Sequence, residues 1–414
     1  MSTQVRHAFI YAIPILIANL VPFLTLPLYT RAIPPEAYGA LALAQAFAFF
    51  CTGLISLGVS LGYERNFFEC KTPEESDRLL FSALSFSGFS LIAAGVIITQ
   101  FSAEIAEILS IPTTYRRLIY LNYAAATLEY LKQYFMIHQK NSENAKAYST
   151  WMIVTTIIAT LSGLILVLSF KWGAEGIVYG QILGNGVVLL TLTVKLFLRS
   201  MPKFSFSLIW ACLVISLPLT PRVFFKLGGT QFDKYIIGVM QSMGGVGVYN
   251  VGQKISTVTF AFMTALENVF TPRVYKGMFE SPNNGHAIGH YLTPFAYFSV
   301  LLALLVGMFS EEALFILVAK GYEKAADVIT IFSMYYSIMF FGKQPQLIFA
   351  KKTSITTILS LTGMGLSMGL MVPFVRTWGF KGAAWAMFLS GVINVAASSW
   401  VLCVLPWQTI PPAW

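Results

Sequence analysis

Residues 39–69, GALALAQAFAFFCTGLISLGVSLGYERNFFE, return 208 positions later as residues 247–277, GVYNVGQKISTVTFAFMTALENVFTPRVYKG. The superposition sets Gly39 on Gly247, Gln45 on Gln253 and Arg65 on Arg273. At the same spacing the nine residues from Phe101 to Leu109 meet those from Phe309 to Leu317, with five identities. A third echo, Trp172 to Gly176 against Trp378 to Gly382, sits at a spacing of 206. Three echoes in one order at nearly one spacing mark a duplicated unit of about 207 residues, half of the chain.

The composition tells what this unit is made for. Hydrophobic residues make up 56% of the 414 positions and charged residues 11%, where soluble domains carry about 25% charge. That balance describes an integral membrane protein. The net charge of +9 is spread over short loops between apolar runs, so the partner it implies is the lipid bilayer with its anionic headgroups, not nucleic acid. Cys51, Cys212 and Cys403 lie in apolar runs and Cys70 in a polar loop. No pair has metal or redox spacing, and the sequence predicts neither a metal nor a cofactor. The first apolar run contains Pro14, Pro22 and Pro27 and has no A-x-A cleavage pattern, so it reads as a retained helix.

A spanning helix needs about 20 mostly apolar residues. On that rule the chain yields twelve spans, near 8–30, 38–62, 79–101, 116–138, 149–170, 174–198, 206–227, 247–271, 290–310, 325–349, 354–375 and 380–405. The predicted fold is therefore an all-α integral membrane protein of about twelve transmembrane helices in two six-helix lobes, 1–200 and 201–414. An even number of spans per unit re-enters the membrane from the same side. The repeats are then parallel, related by a pseudo-two-fold axis along the membrane normal, with a central cleft between them. Lysines and arginines in the short loops number thirteen on the side of the termini and ten on the other. That bias places both termini in the cytoplasm. No loop exceeds about 20 residues, which leaves no room for a soluble catalytic domain.

Charges at membrane depth cost on the order of 2.5–3.5 kcal/mol each, and so mark cavities or partners. Lys132, Arg222, Lys254 and Lys343 are the cations placed away from the ends of predicted helices, and Glu129 and Glu267 the carboxylates. The six are the primary site candidates, the two glutamates for ion coupling. At 100° per residue Asn250, Lys254, Thr257, Ala261, Ala265 and Asn268 share one face of the eighth span. This stripe is either a cleft wall or a close-packing face from which Lys254 snorkels to the interface. On the fourth span Asn122, Glu129, Gln133, Met136 and Lys140 share a face. Lys132, three positions after Glu129, makes either a self-neutralising pair or a binding element. Glu267 points away from Lys254, as a proton site or a helix-bonding group.

Arg222 follows Leu217-Pro218-Leu219-Thr220-Pro221, and Pro14 answers Pro221 at an offset of 207. Prolines free backbone carbonyls and bend a span, so bent first helices in both halves suit a cleft that opens and closes. Arg65 and Arg273, equivalent by repeat, sit where spans two and eight meet the cytoplasm. They either receive a headgroup phosphate or act as positive anchors. Enzyme signatures are missing. The nearest to a phosphate loop, Gly247 to Lys254, has Gln253 between its glycine and lysine and no preceding strand. No histidine pair has metalloprotease spacing.

The run from Arg31 to Gln45, RAIPPEAYGALALAQ, followed by LGVSLGYERNFFE at 57–69, resembles the opening of the polysaccharide transporter family, the Wzx-type O-antigen flippases. Phe232-Asp-Lys-Tyr-Ile-Ile-Gly238 and the later GVGVYNVGQKI resemble that family's second-half opening, where Asp-Arg stands more often than the Asp233-Lys234 found here. Lysine lacks the bidentate fork of arginine. The resemblance covers essentially the whole chain and implies a fold like the multidrug and toxin extruders (MATE-like). Its implied activity is secondary transport without ATP hydrolysis. An undecaprenyl-pyrophosphate-linked oligosaccharide would move from the cytoplasmic to the periplasmic leaflet of the bacterial inner membrane. It also admits other polysaccharide-assembly membrane proteins as partners, and lipopolysaccharide biosynthesis as the setting. In that reading cations meet the pyrophosphate, polar stripes shelter the sugar and the polyprenyl tail stays in lipid. Two alternatives start from the same residues. A drug or cation exporter of this superfold would want buried acids, yet buried cations outnumber them four to two. A membrane-embedded polysaccharide polymerase or ligase would carry a long periplasmic loop with catalytic arginine or histidine, which this chain lacks.

Overall fold

The computed structural model describes residues 20–280, 285–342 and 353–404. Among the described residues every regular element is helical. The first unit carries α1 (20–32), α2 (Pro35–Ile55), α3 (Val59–Phe67), α4 (Pro73–Gln100), α5 (Ser102–Ile108), α6 (Arg117–Asn141), α7 (Ala145–Leu168), α8 (Gly173–Ser200), α9 (Phe206–Ser216) and α10 (Thr220–Met240). The second carries α11 (Met243–Glu280), α12 (Gly285–Met308), α13 (Ser310–Leu317), α14 (Ala325–Gly342), α15 (Thr353–Trp378) and α16 (Phe380–Val404). Contacts divide the chain into Met1–Gly238 and Val239–Trp414. Within the described residues each predicted span falls on one of these helices or on a broken pair, and seven described helices are long and apolar enough to cross a membrane.

The duplication is written in the backbone. Three pairs of helices start 208 residues apart: α2 and α11, α5 and α13, α6 and α14. The neighbours repeat as well. Within the first unit α6 packs against α2, α4 and α8, and α7 against α8; within the second α14 packs against α11, α12 and α16, and α15 against α16. Even the joints agree. Phe101 before α5 has φ −92° and ψ 21°, and Phe309 before α13 has φ −95° and ψ 17°. Gly173 and Gly379 both turn the chain through the left-handed region, at φ 57° and 60°, where a side chain would be strained.

Local chemistry explains the element ends. At α4, Thr72 Oγ1 accepts the Glu75 N–H at 3.3 Å, Pro73 fills the first turn, and Glu75 reaches back to the Lys71 N–H at 2.8 Å. This satisfies orphan donors at both sides of the cap. At α7, Asn144 Oδ1 takes the Ala147 N–H at 3.1 Å. Gly176, Gly180 and Gly184 line the face of α8 that lies on α7. A Cβ at Gly180 would stand 2.5 Å from the Ala159 carbonyl oxygen, and one at Gly184 2.7 Å from Ala159 Cβ. Small residues at this spacing let two membrane helices touch backbone to backbone.

Two spans differ from their continuous sequence reading. The second, predicted unbroken over 38–62, is interrupted at residues 56–58. Leu57 and Gly58 both adopt positive φ, 51° and 64°, and α3 restarts at Val59. The break is held from outside, because Thr220 Oγ1 donates to the Leu57 carbonyl at 3.2 Å. A leucine strained in this way is invisible to periodicity. The seventh span is α9, a 3₁₀ turn over Leu217–Leu219 around Pro218, and α10, so the bend expected in that proline pair is one tightened turn. Its counterpart Pro14 lies outside the described residues. Gly62 seats α3 against α9, since a Cβ there would run into the backbone of Cys212.

Candidate substrate-binding site

In the first unit α6 is the central helix, flanked by α2, α4 and α8. A helix so enclosed can carry charge that lipid would not tolerate. Lys132 uses this shelter: it is half-buried and its Nζ donates to Asn185 Oδ1 on α8 at 2.7 Å. Asn185 is only 5% exposed. It comes directly after the glycine run that fixes α8 on α7, and a Cβ at the following Gly186 would stand 3.7 Å from Leu128 Cδ1 of α6. The same glycines therefore aim Asn185 at α6. An ammonium has three N–H donors; one on Asn185 orients the head group and leaves capacity for an anion. Glu129, one turn earlier, is exposed and is the carboxylate whose charge acts on Lys132.

In the second unit Asn250 and Lys254 follow each other by one turn on α11. Asn250 is 4% exposed and Lys254 half-buried, while Thr257 and Ala261 further along the stripe are exposed. Within its own unit this face thus runs from the interior outward. The Lys254 carbonyl accepts the Thr257 hydroxyl. What the stripe offers a ligand is an amide, an ammonium and a hydroxyl in line.

The remaining candidates are placed as follows. Arg65 is exposed, forms an ion pair with Glu69 one turn on, and donates to Asn66 Oδ1 at 3.0 Å. Asn122 is buried and turns back on its own helix, donating to the Leu118 carbonyl at 2.7 Å. Gln133 is exposed, Met136 buried, and Lys140 pairs with Glu64 of α3. The backbones of Arg222, Glu267, Asn268 and Arg273 belong to α10 and α11, but their side chains lie outside the described set, as do Ala265 on the same stripe and Lys343 altogether. Sequence reasoning missed Asn185, whose signal was a lone amide ending a Gly-x-x-x-Gly-x-x-x-Gly run in an apolar span. It also passed over Asp77 and His138, which lie far apart in the chain and meet only in the fold.

The model of a family described as "Polysaccharide biosynthesis protein" matches residues 5–278. Among solved structures the chain is similar to the lipid II flippase MurJ in its inward closed conformation, with TM-score 0.73 and 14% identity over 98% of this chain and 89% of that one. It is similar to an inward-facing multidrug resistance MATE transporter of the MOP superfamily, with TM-score 0.69 and 14% identity over 93% and 94%. A MOP superfamily transporter from Pyrococcus furiosus matches at TM-score 0.58 and 13% identity over 98% and 96%. No curated protein sequence matches. At these identities the solved structures fix the fold, that of the MurJ and MATE transporters, and the chain is a multi-pass membrane protein.

Proposed function

The chain belongs to the polysaccharide biosynthesis protein family, and from that premise we propose that it is a flippase for an undecaprenyl-pyrophosphate-linked oligosaccharide, of the O-antigen or a similar surface-polysaccharide type. It sits in the bacterial inner membrane with both termini cytoplasmic. Two lobes, 1–200 and 201–414, alternate in access around a cleft and deliver the substrate to the periplasmic leaflet. The observation that carries this reading is Lys132, a cation held on Asn185 in the helical interior of the first unit. A half-buried ammonium with an oriented head group suits a pyrophosphate. That a structural neighbour is a lipid II flippase supports a lipid-linked substrate. No ATP is needed for direction. With the cell interior negative, outward movement of an anion gains about 2.3 kcal/mol per charge per 100 mV. Glu129 and Glu267 are the sites for an ion counter-flow, which flipping insensitive to an imposed pH or sodium gradient would eliminate.

The likeness to a MATE transporter supports a second reading, export of cationic drugs. One set of vesicles separates the two. The purified chain in proteoliposomes should move a labelled undecaprenyl-pyrophosphate oligosaccharide across the bilayer, with Lys254→Ala at least tenfold slower and Lys254→Arg within threefold of wild type. Vesicles that extrude a cationic dye and leave the lipid-linked sugar in place would overturn the flippase reading.

A further inference from the structure

A second polar cluster closes the opposite end of the first unit's helices from the Phe101 joint, and the transport reading makes no use of it. Asp77 on α4 is 2% exposed. Its Oδ1 lies 3.8 Å from His138 Nε2 on α6 and its Oδ2 3.4 Å from Arg199 Nε on α8. Asp77 Oδ2 forms no hydrogen bond, so Arg199 meets it as an ion pair rather than through an aligned N–H. His138 is 7% exposed. Its Nδ1 is 3.0 Å from the hydroxyl of Tyr63 on α3, a residue fully buried in the core with Leu79, Leu80 and Tyr134. Phe67 closes the imidazole edge at 5.3 Å. The groups facing His138 are thus Tyr63 from α3, Asp77 from α4 and Arg199 from α8. Cys70, after α3, and Cys212, on α9, face Tyr63 in turn.

Geometry sets the tautomer. A lone pair on Nε2 would point at a carboxylate, so the neutral ring carries its hydrogen on Nε2 and accepts the Tyr63 hydroxyl hydrogen at Nδ1. A further proton has one place to go, Nδ1. Tyr63 then exchanges its donor role for an acceptor role, and the ring becomes a cation against Asp77. Both helix ends favour that ionic state, with Asp77 near the start of α4 and His138 in the last turn of α6. Asp77 lies one side chain below the surface of the unit, because Arg199 over it is 60% exposed. The linker after Arg199 is fastened to the same helix, Ser205 N–H donating to Ser82 Oγ at 3.0 Å. Lys132 stands six residues before His138, about 9 Å along one continuous helix.

We propose that Tyr63, Asp77, His138 and Arg199 form a proton-binding site, loaded at His138 Nδ1 from the side assigned to the cytoplasm, whose occupancy sets the rate of transport. Its coupling to rate rests on the flippase reading; the binding of the proton does not. The test uses the full chain in lipid nanodiscs with isotope-labelled histidine and, in parallel, the proteoliposome assay. One histidine resonance should titrate as the pH is lowered through the acid range and vanish in His138→Gln. Its midpoint should fall in Asp77→Asn, which removes the anion, and rise in Arg199→Gln, which removes a competing cation. Wild-type flipping should change at least threefold across that range and His138→Gln less than 1.5-fold. A His138 resonance that stays fixed, or midpoints unmoved by both charge variants, overturns the site. Titration as described with the pH profile of flipping unchanged in His138→Gln overturns the coupling. Titration in a chain that flips nothing overturns the flippase reading and leaves the proton site in place.

Discussion

The two units share a skeleton and differ in what they place inside it. Their helices start at matched positions and their joints repeat to within a few degrees. Yet the position equivalent to Lys132 in the second unit is Phe340. The one equivalent to Asn185, on the spacing of 206 that holds from Trp172 onward, is Gly391, whose missing Cβ admits the ring of Tyr335 at 2.9 Å. Conversely, Asn250 and Lys254 on α11 stand where α2 has Ala42 and Ala46, both buried. Each unit therefore contributes a half-buried cation, and each takes it from a different helix of the repeat. Duplication supplied the frame, and the substitutions within it made the frame asymmetric. The proton site sharpens the contrast, since Asp77 corresponds to Gly285 at the spacing of 208 and Arg199 to Leu405 at that of 206.

If the skeleton is what the units share, breaking it should hurt both alike. Gly180→Ala and Gly382→Ala each drive a methyl group into the backbone of the neighbouring helix, that of Gly163 and that of Phe374. Overpacking of this kind costs about 1–3 kcal/mol, and thermal unfolding of both should start well below wild type. Gly369→Ala, with open space around its Cβ position, should not change it. If chemistry is what separates them, copying the second unit into the first should abolish function and keep the fold. Lys132→Phe, which installs the residue of the second unit, should fold normally and flip at least tenfold less; flipping near the wild-type rate would show that a cation at this point is dispensable. The smallest effect should come from Arg65. Its pair with Glu69, in the turn just after α3, is exposed, worth less than about 1 kcal/mol. Arg65→Ala should shift the unfolding temperature by no more than a degree or two and leave flipping within twofold, whereas a larger fall in flipping alone would give Arg65 the headgroup role.

Much of this was legible before any coordinates. Apolar run lengths gave the spans and the three echoes gave the repeat, because a membrane imposes one length on every crossing and a duplicated unit keeps its joints. Lys132 stood out as a charge where charge is costly. Its partner did not, since nothing along the chain links position 132 to position 185, and the choice between Glu129 and another partner depends on how α8 is rotated. The glycine run against α7 makes that rotation. Likewise no periodicity could show the break at Leu57, which is held by a hydroxyl from Thr220, or unite Tyr63, Asp77, His138 and Arg199 from four helices. By itself the sequence determined a twice-repeated helical membrane protein with cations in its predicted spans, through composition and length. Which side chains meet was decided by the tertiary structure, because contacts between helices depend on their rotation and close approach, and these are set by residues distant in the chain.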